Sequence, residues 1–228
     1  MRQPPVFPIL AAVLAAAVLT ILYFNVRMVG PADPSARTGA ETEATALERP
    51  TVEFINPSIG PADAPVTIVE FGDYLCAPCA ALNLTLKRLA AEYPEDVRLV
   101  WKDMPAEGQR PGAARAAMAA RCAADQGRFW EFQSALFSIQ AGLDTDGYLR
   151  QAQALGLDND RFRNCLENRQ TEPLVTKDLN EGIRLRIDAT PYIFVNGRRL
   201  SGAVEYSLLR GIIESEINIA LRNAAPAN

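Results

Sequence analysis

The chain has 228 residues, 49% hydrophobic and 22% charged, which is the composition of a protein with a packed core and excludes disordered and fibrous classes. A net charge of -4 supplies no basic field, so no nucleic-acid partner is expected. Histidine is absent, which removes Ser-His-Asp and Cys-His catalysis and all His-ligated metal or haem sites, and leaves four cysteines carrying most of the chemical information.

The first element is an uncharged run from Val6 to Phe24, interrupted only by Pro8 and Thr20. A helix of about 20 apolar residues spans a bilayer core. The alternatives are a cleaved signal peptide and a retained anchor. The run is long for a signal peptide, and its small residues Ala15, Ala16 and Ala17 lie inside it, so residues 1–29 are read as a retained signal-anchor that contacts the lipid bilayer. Residues 30–50 read GPADPSARTGAETEATALERP, a stretch almost free of large apolar side chains and expected to act as a flexible tether. The folded part should then run over 51–223, with 224–228 as a tail.

Within it, Val66–Phe71 is a β-branched apolar run preceded by the turn signals Gly60-Pro61 and Ala64-Pro65, and reads as a buried strand. Ala77–Tyr93 carries Leu82, Leu86 and Leu89 at helical spacing and stops at Pro94. Val97–Trp101 is a second strand, which makes a βαβ unit with parallel strands. Helical signals follow without a strand: Pro111–Ala124, Phe129–Ile139, a helix capped by Asp144, another capped by Asp158, and one capped by Thr171 that runs to about Arg186. They are read as a helical insertion over about 106–186. Tyr192–Val195, Asn196-Gly197 and Arg199–Ser201 predict a hairpin, and Val204–Leu221 a closing amphipathic helix. Trp101, Trp130, Phe129, Phe132 and Phe137 are expected in the core.

Cys76-Ala-Pro-Cys79 falls between the first strand and its helix. A helix N-terminus offers unpaired N–H groups and a partial positive charge, which stabilise a thiolate. Cys76 is therefore the expected nucleophile, and Cys79, one turn further on, the resolving thiol. Asp73 and Tyr74 are expected to shape the rim. Zinc would require Cys122 and Cys165 to complete a site of four thiolates, and no metal is assigned.

The string DAPVTIVEFGDYLCAPC over 63–79, and DATPYIFVNG over 188–197, resemble the DsbA-like branch of the thioredoxin superfamily. The likeness extends over about residues 51–222. It implies an α/β thioredoxin fold with an inserted helical subdomain, here preceded by the transmembrane helix and tether. It also implies a protein thiol–disulfide oxidoreductase with redox-active Cys76 and Cys79, which needs no cofactor. Thr190 and Pro191 would form the substrate-binding cis-proline loop. Glu70 would be a buried acid that assists the resolving thiol, although as a residue it reads equally as a strand-end surface charge. Cys122 and Cys165 would form a structural disulfide; an even cysteine count and an exported context favour the bridge, with buried free thiols as the alternative. The Ala-Pro dipeptide departs from members that carry histidine between the cysteines, so oxidase, reductase and isomerase directions stay open. Expected partners are cysteine-containing protein substrates and a membrane or soluble redox partner. The implied location is a bacterial inner membrane, single-pass, with the catalytic domain in the periplasm. The competing function is a non-enzymatic soft-metal (copper) chaperone that uses the same thiols.

Overall fold

A computed structural model describes residues 19–21, 23, 49–140 and 143–224. The chain divides into two units, Met1–Ala46 and Leu47–Asn228. In the first, Leu19, Thr20, Ile21 and Tyr23 are helical; the rest of the expected anchor, and all of the expected tether except Arg49 and Pro50, lie outside the described residues. Among the described residues no helix is long and apolar enough to cross a membrane.

The second unit is built on a five-stranded sheet of order β1-β3-β2-β4-β5. The strands are β1 (Ser58–Ile59), β2 (Val66–Gly72), β3 (Val97–Asp103), β4 (Tyr192–Val195) and β5 (Arg198–Ser201). β2 and β3 pair in parallel, with Glu70 opposite Trp101, while the other pairings are antiparallel. Both central strands are buried almost throughout, which explains why they read as continuous apolar runs rather than alternating ones. β1 was not visible in the sequence: two residues are too few for periodicity, and the strand exists only through its pairing with β3.

α1 (Ala77–Glu92) connects β2 to β3 and buries Cys79, Leu82, Asn83, Leu86 and Leu89 on one face. The insertion between β3 and β4 consists of α2 (Ala113–Ala124), α3 (Phe129–Ser138), α4 (Thr145–Ala154), α5 (Asn159–Glu167) and α6 (Glu172–Arg184). Asp144 and Asp158 cap their helices through backbone N–H groups. Thr171 stands at the start of α6 but makes no cap bond; its hydroxyl donates to the Met118 carbonyl at 3.0 Å. α7 (Tyr206–Ala224) closes the fold. Asn196 (φ 49°) and Gly197 (φ 90°) both have positive φ, the geometry of the tight hairpin that Asn-Gly predicts.

Three apolar clusters follow from this layout. Val66, Ile68, Val97 and Leu99 meet α1 and α7 on one sheet face. Val69, Phe71, Val100 and Phe194 meet Leu185 and Ile187 on the other. Trp101 and Tyr74 join the helical insertion. Of the five expected core aromatics, Trp130 and Phe137 are only partly buried, and Trp130 donates from Nε1 to the Ser58 carbonyl at 3.2 Å.

A buried ionic cluster links β3, α2, α6 and the segment before β1. Arg121 binds Asp103 (2.6 Å), Asp178 (2.5 Å) and the Ile55 carbonyl (3.0 Å). Lys102 binds Glu181 (2.5 Å) and Asp178 (3.3 Å), and Glu181 in turn accepts from Thr51. Burial, reinforced by the Asp103 charge, raises the Asp178 carboxyl to about 6.

Candidate redox site

The site sits where β2 ends and α1 begins. Gly72 must be glycine there, since a Cβ would lie 2.3 Å from the Trp101 ring. The chain then turns: the buried Asp73 carboxylate accepts from the Leu75 N–H at 2.8 Å, and the Cys76 N–H donates to the Asp73 carbonyl at 3.1 Å. Cys76 is the N-cap of α1, and its sulfur accepts from the Cys79 N–H at 3.2 Å. Pro78 fits the first turn because no helical partner awaits an N–H there.

Cys76 and Cys79 are joined as a disulfide. Cys79 is fully buried, whereas Cys76 retains 3% exposure. The Cys76 sulfur lies 3.4 Å from the carbonyl oxygen of Thr190, and the Thr190–Pro191 bond is cis. Asp73 and Tyr74, expected at the rim, are instead buried beneath the site, because the turn points their side chains inward. Tyr74 stacks on Trp101 and Phe137, with ring centroids at 5.1 and 5.2 Å.

Glu70 takes its inward reading. It is 1% exposed, and neither carboxylate oxygen has a hydrogen-bond partner among the described residues. Burial pushes its carboxyl up to about 8, opposed by the Lys87 charge and the Asn83 amide. Asn83 and Lys87 follow Cys79 by four and eight residues, so all three share one side of α1. Asn83 gives its amide to Gln133 at 3.1 Å. Lys87 is half-buried and lowered to about 8, mainly by burial; it donates to Ser134 (2.6 Å) and to the Trp130 carbonyl (3.1 Å). It lines a cleft of about 530 Å³ with Trp130, Glu131 and Ser134. A protonatable carboxyl beside the thiol helix, backed by an amine that reaches an open cleft, can hold and exchange a proton near neutral pH.

Cys122 and Cys165 lie apart from this constellation, joined as a second disulfide between α2 and α5. Sequence reasoning did not single out Asn83, Lys87 or Arg110. The spacing from Cys79 could have revealed the first two. Arg110 lies in a loop whose sequence carries no periodic signal.

A family model described as thioredoxin matches residues 55–215. Among solved structures, oxidised BdbD from Bacillus subtilis is 26% identical, with a TM-score of 0.64 over 72% of this chain and 94% of that one. A thioredoxin-like oxidoreductase from Silicibacter pomeroyi is 29% identical, with a TM-score of 0.65 over 76% and 95%. Among curated relatives, Na(+)/H(+) antiporter NhaA 3 of Salinispora tropica is 34% identical over 209 residues, which is 91% of this chain and 32% of that protein. The chain thus spans about a third of the length of the curated relatives it matches.

Proposed function

The chain belongs to the thioredoxin family, and from that premise we propose that it is a DsbA-like thiol–disulfide oxidoreductase that exchanges disulfides with protein cysteines outside the cytoplasm, through Cys76 and Cys79. The observation that carries this reading is the seat of the Cys76 sulfur. It lies between the Cys79 N–H in the first turn of α1 and the carbonyl oxygen of Thr190.

In the oxidising direction a substrate thiolate attacks Cys76. The Cys76–Cys79 bond breaks, and its electron pair leaves on Cys79. That sulfur takes a proton, for which Glu70, neutral below about 8 and on the sheet face that α1 covers, is the proposed acid. A second substrate thiolate then attacks the substrate sulfur of the mixed disulfide and displaces Cys76 as a thiolate, which the Cys79 N–H receives. The substrate leaves as a disulfide and the protein is reduced by two electrons. The reverse sequence reduces a substrate. A redox partner restores the starting state, and no cofactor enters any step. Thr190 and Pro191 provide the docking edge: the Thr190 carbonyl lies beside the sulfur, where an extended substrate strand can pair.

An extracytoplasmic site is supported by the Cys122–Cys165 bridge, since structural disulfides persist in oxidising compartments. The Val6–Phe24 run would anchor the domain to the inner membrane by a single pass, with residues 30–50 as tether and the domain in the periplasm. Intact mass of the membrane-fraction protein tests the anchor, and a mature form beginning after residue 30 would overturn it. For the chemistry, exchange with a two-cysteine peptide should require both Cys76 and Cys79. Full activity in a Cys76→Ser variant would refute the reading. The reduction potential of the pair sets the direction: near about -120 mV for an oxidant, near about -270 mV for a reductant.

A further inference from the structure

We propose that Arg110 is a positioning residue of this redox site, one whose guanidinium fixes the Thr190 edge against the loop that precedes Cys76. The inference rests on the dithiol reading above and extends it to a residue outside the redox motif.

Arg110 lies in the connection from β3 to α2. Its Nε donates to Asp73 Oδ2 at 2.8 Å, and its Nη2 donates to Thr190 Oγ1 at 3.0 Å. The same Asp73 oxygen accepts from the Ala106 N–H at 2.9 Å, and the other accepts from Leu75. One carboxylate and one guanidinium therefore join three loops that are distant in sequence: the approach to Cys76, the β3–α2 connection and the Thr190 turn. Arg110 also lines a pocket of about 140 Å³, with Gln109, Asp188 and Thr190, that opens beside this edge.

A purely structural ion pair would leave two features unexplained. Asp73 already has two backbone N–H donors, so its buried carboxylate does not depend on Arg110 for satisfaction. And the second arm of the guanidinium goes to Thr190, whose carbonyl lies 3.4 Å from the Cys76 sulfur. Arginine is suited to this task because its planar fork holds two acceptors in fixed directions, whereas a lysine ammonium is a point charge. Two consequences follow. Without the fork, the docking edge is free to shift and substrate binds less well. Without the cation, the Asp73 charge is left unbalanced three residues before Cys76, and the Cys76 thiolate is disfavoured.

Three variants separate these effects: Arg110→Lys keeps the charge and loses the fork, Arg110→Met loses both, and Thr190→Val removes only the hydroxyl acceptor. Each is measured for steady-state exchange with a cysteine-containing peptide, and for the pH dependence of iodoacetamide labelling of reduced Cys76. KM should rise about tenfold in all three, the scale of one lost charge-assisted hydrogen bond, with kcat changed far less in Arg110→Lys and Thr190→Val. Labelling should need a higher pH in Arg110→Met and follow the wild type in Arg110→Lys. Wild-type KM in Arg110→Lys and Thr190→Val, or a loss confined to kcat, would overturn the proposal; should Arg110→Met fail to fold, these two variants still decide. If instead Cys76→Ser exchanges as fast as wild type, it is the dithiol reading that fails.

Discussion

The sulfur of Cys76 stands 3.4 Å from the carbonyl oxygen of Thr190, 114 residues further along the chain. Neither strand sequence nor helix periodicity brings these residues together. The sheet does, because β4 pairs antiparallel with β2 and sets the turn before Tyr192 beside the end of β2. The pairing fixes Phe71 opposite Tyr192, so the segments that follow β2 and precede β4 leave the sheet at the same end.

Glu70 should titrate visibly in the folded protein. Its carboxyl is raised from 4.5 to about 8, so the folded state holds the proton more tightly than the unfolded one. Glu70 therefore costs nothing below about pH 4.5, and the cost grows as pH rises towards 8. Glu70→Gln should be more stable than wild type at pH 7, by up to about 3 kcal/mol, and this advantage should vanish near pH 4. Chemical denaturation at both pH values measures it. The same variant should slow the step that protonates Cys79; an unchanged rate would remove Glu70 from the proton path.

Lys87 supplies the largest influence that lowers the Glu70 carboxyl. Lys87→Met should therefore raise the Glu70 titration further and move the pH–rate profile of exchange to higher pH. A profile that stays in place would show that the amine and the carboxyl do not communicate.

Much of the site was legible before any coordinates. Cys76-Ala-Pro-Cys79 falls at a strand-to-helix junction, and helix N-terminal physics alone assigns the two thiols different work. The central strands, the insertion and the Asn-Gly hairpin were legible because each rests on local periodicity or turn chemistry. The ionic cluster was not. No motif or spacing marks Lys102, Asp103 and Arg121 as partners, and only the packing of α2 and α6 against β3 encloses them. Glu70 stayed ambiguous for a related reason, since its environment is decided by α1, which packs over that sheet face.

The ionic cluster should be intolerant of losing one partner. Arg121→Met leaves Asp103 and Asp178 buried together without their shared cation, and should destabilise the fold by roughly 3–5 kcal/mol. Urea denaturation provides the comparison, and a loss below about 1 kcal/mol would mean that the carboxylates find other partners.

The Cys122–Cys165 bridge closes a separation of 43 residues within the insertion. Its removal as Cys122→Ala/Cys165→Ala should cost about 3–4 kcal/mol, yet leave exchange at Cys76 near the wild-type rate. Loss of exchange in a variant that still melts cooperatively would mean that the bridge reaches the active thiols.

The central claim is that Cys76 is the attacking and attacked sulfur. It is tested most directly in a Cys79→Ser variant, where a mixed disulfide cannot be resolved from within. Incubated with an oxidised cysteine-containing peptide and digested, that variant should yield the peptide linked to Cys76. Linkage at Cys122 or Cys165, or no adduct under conditions where the wild type exchanges, would contradict the account.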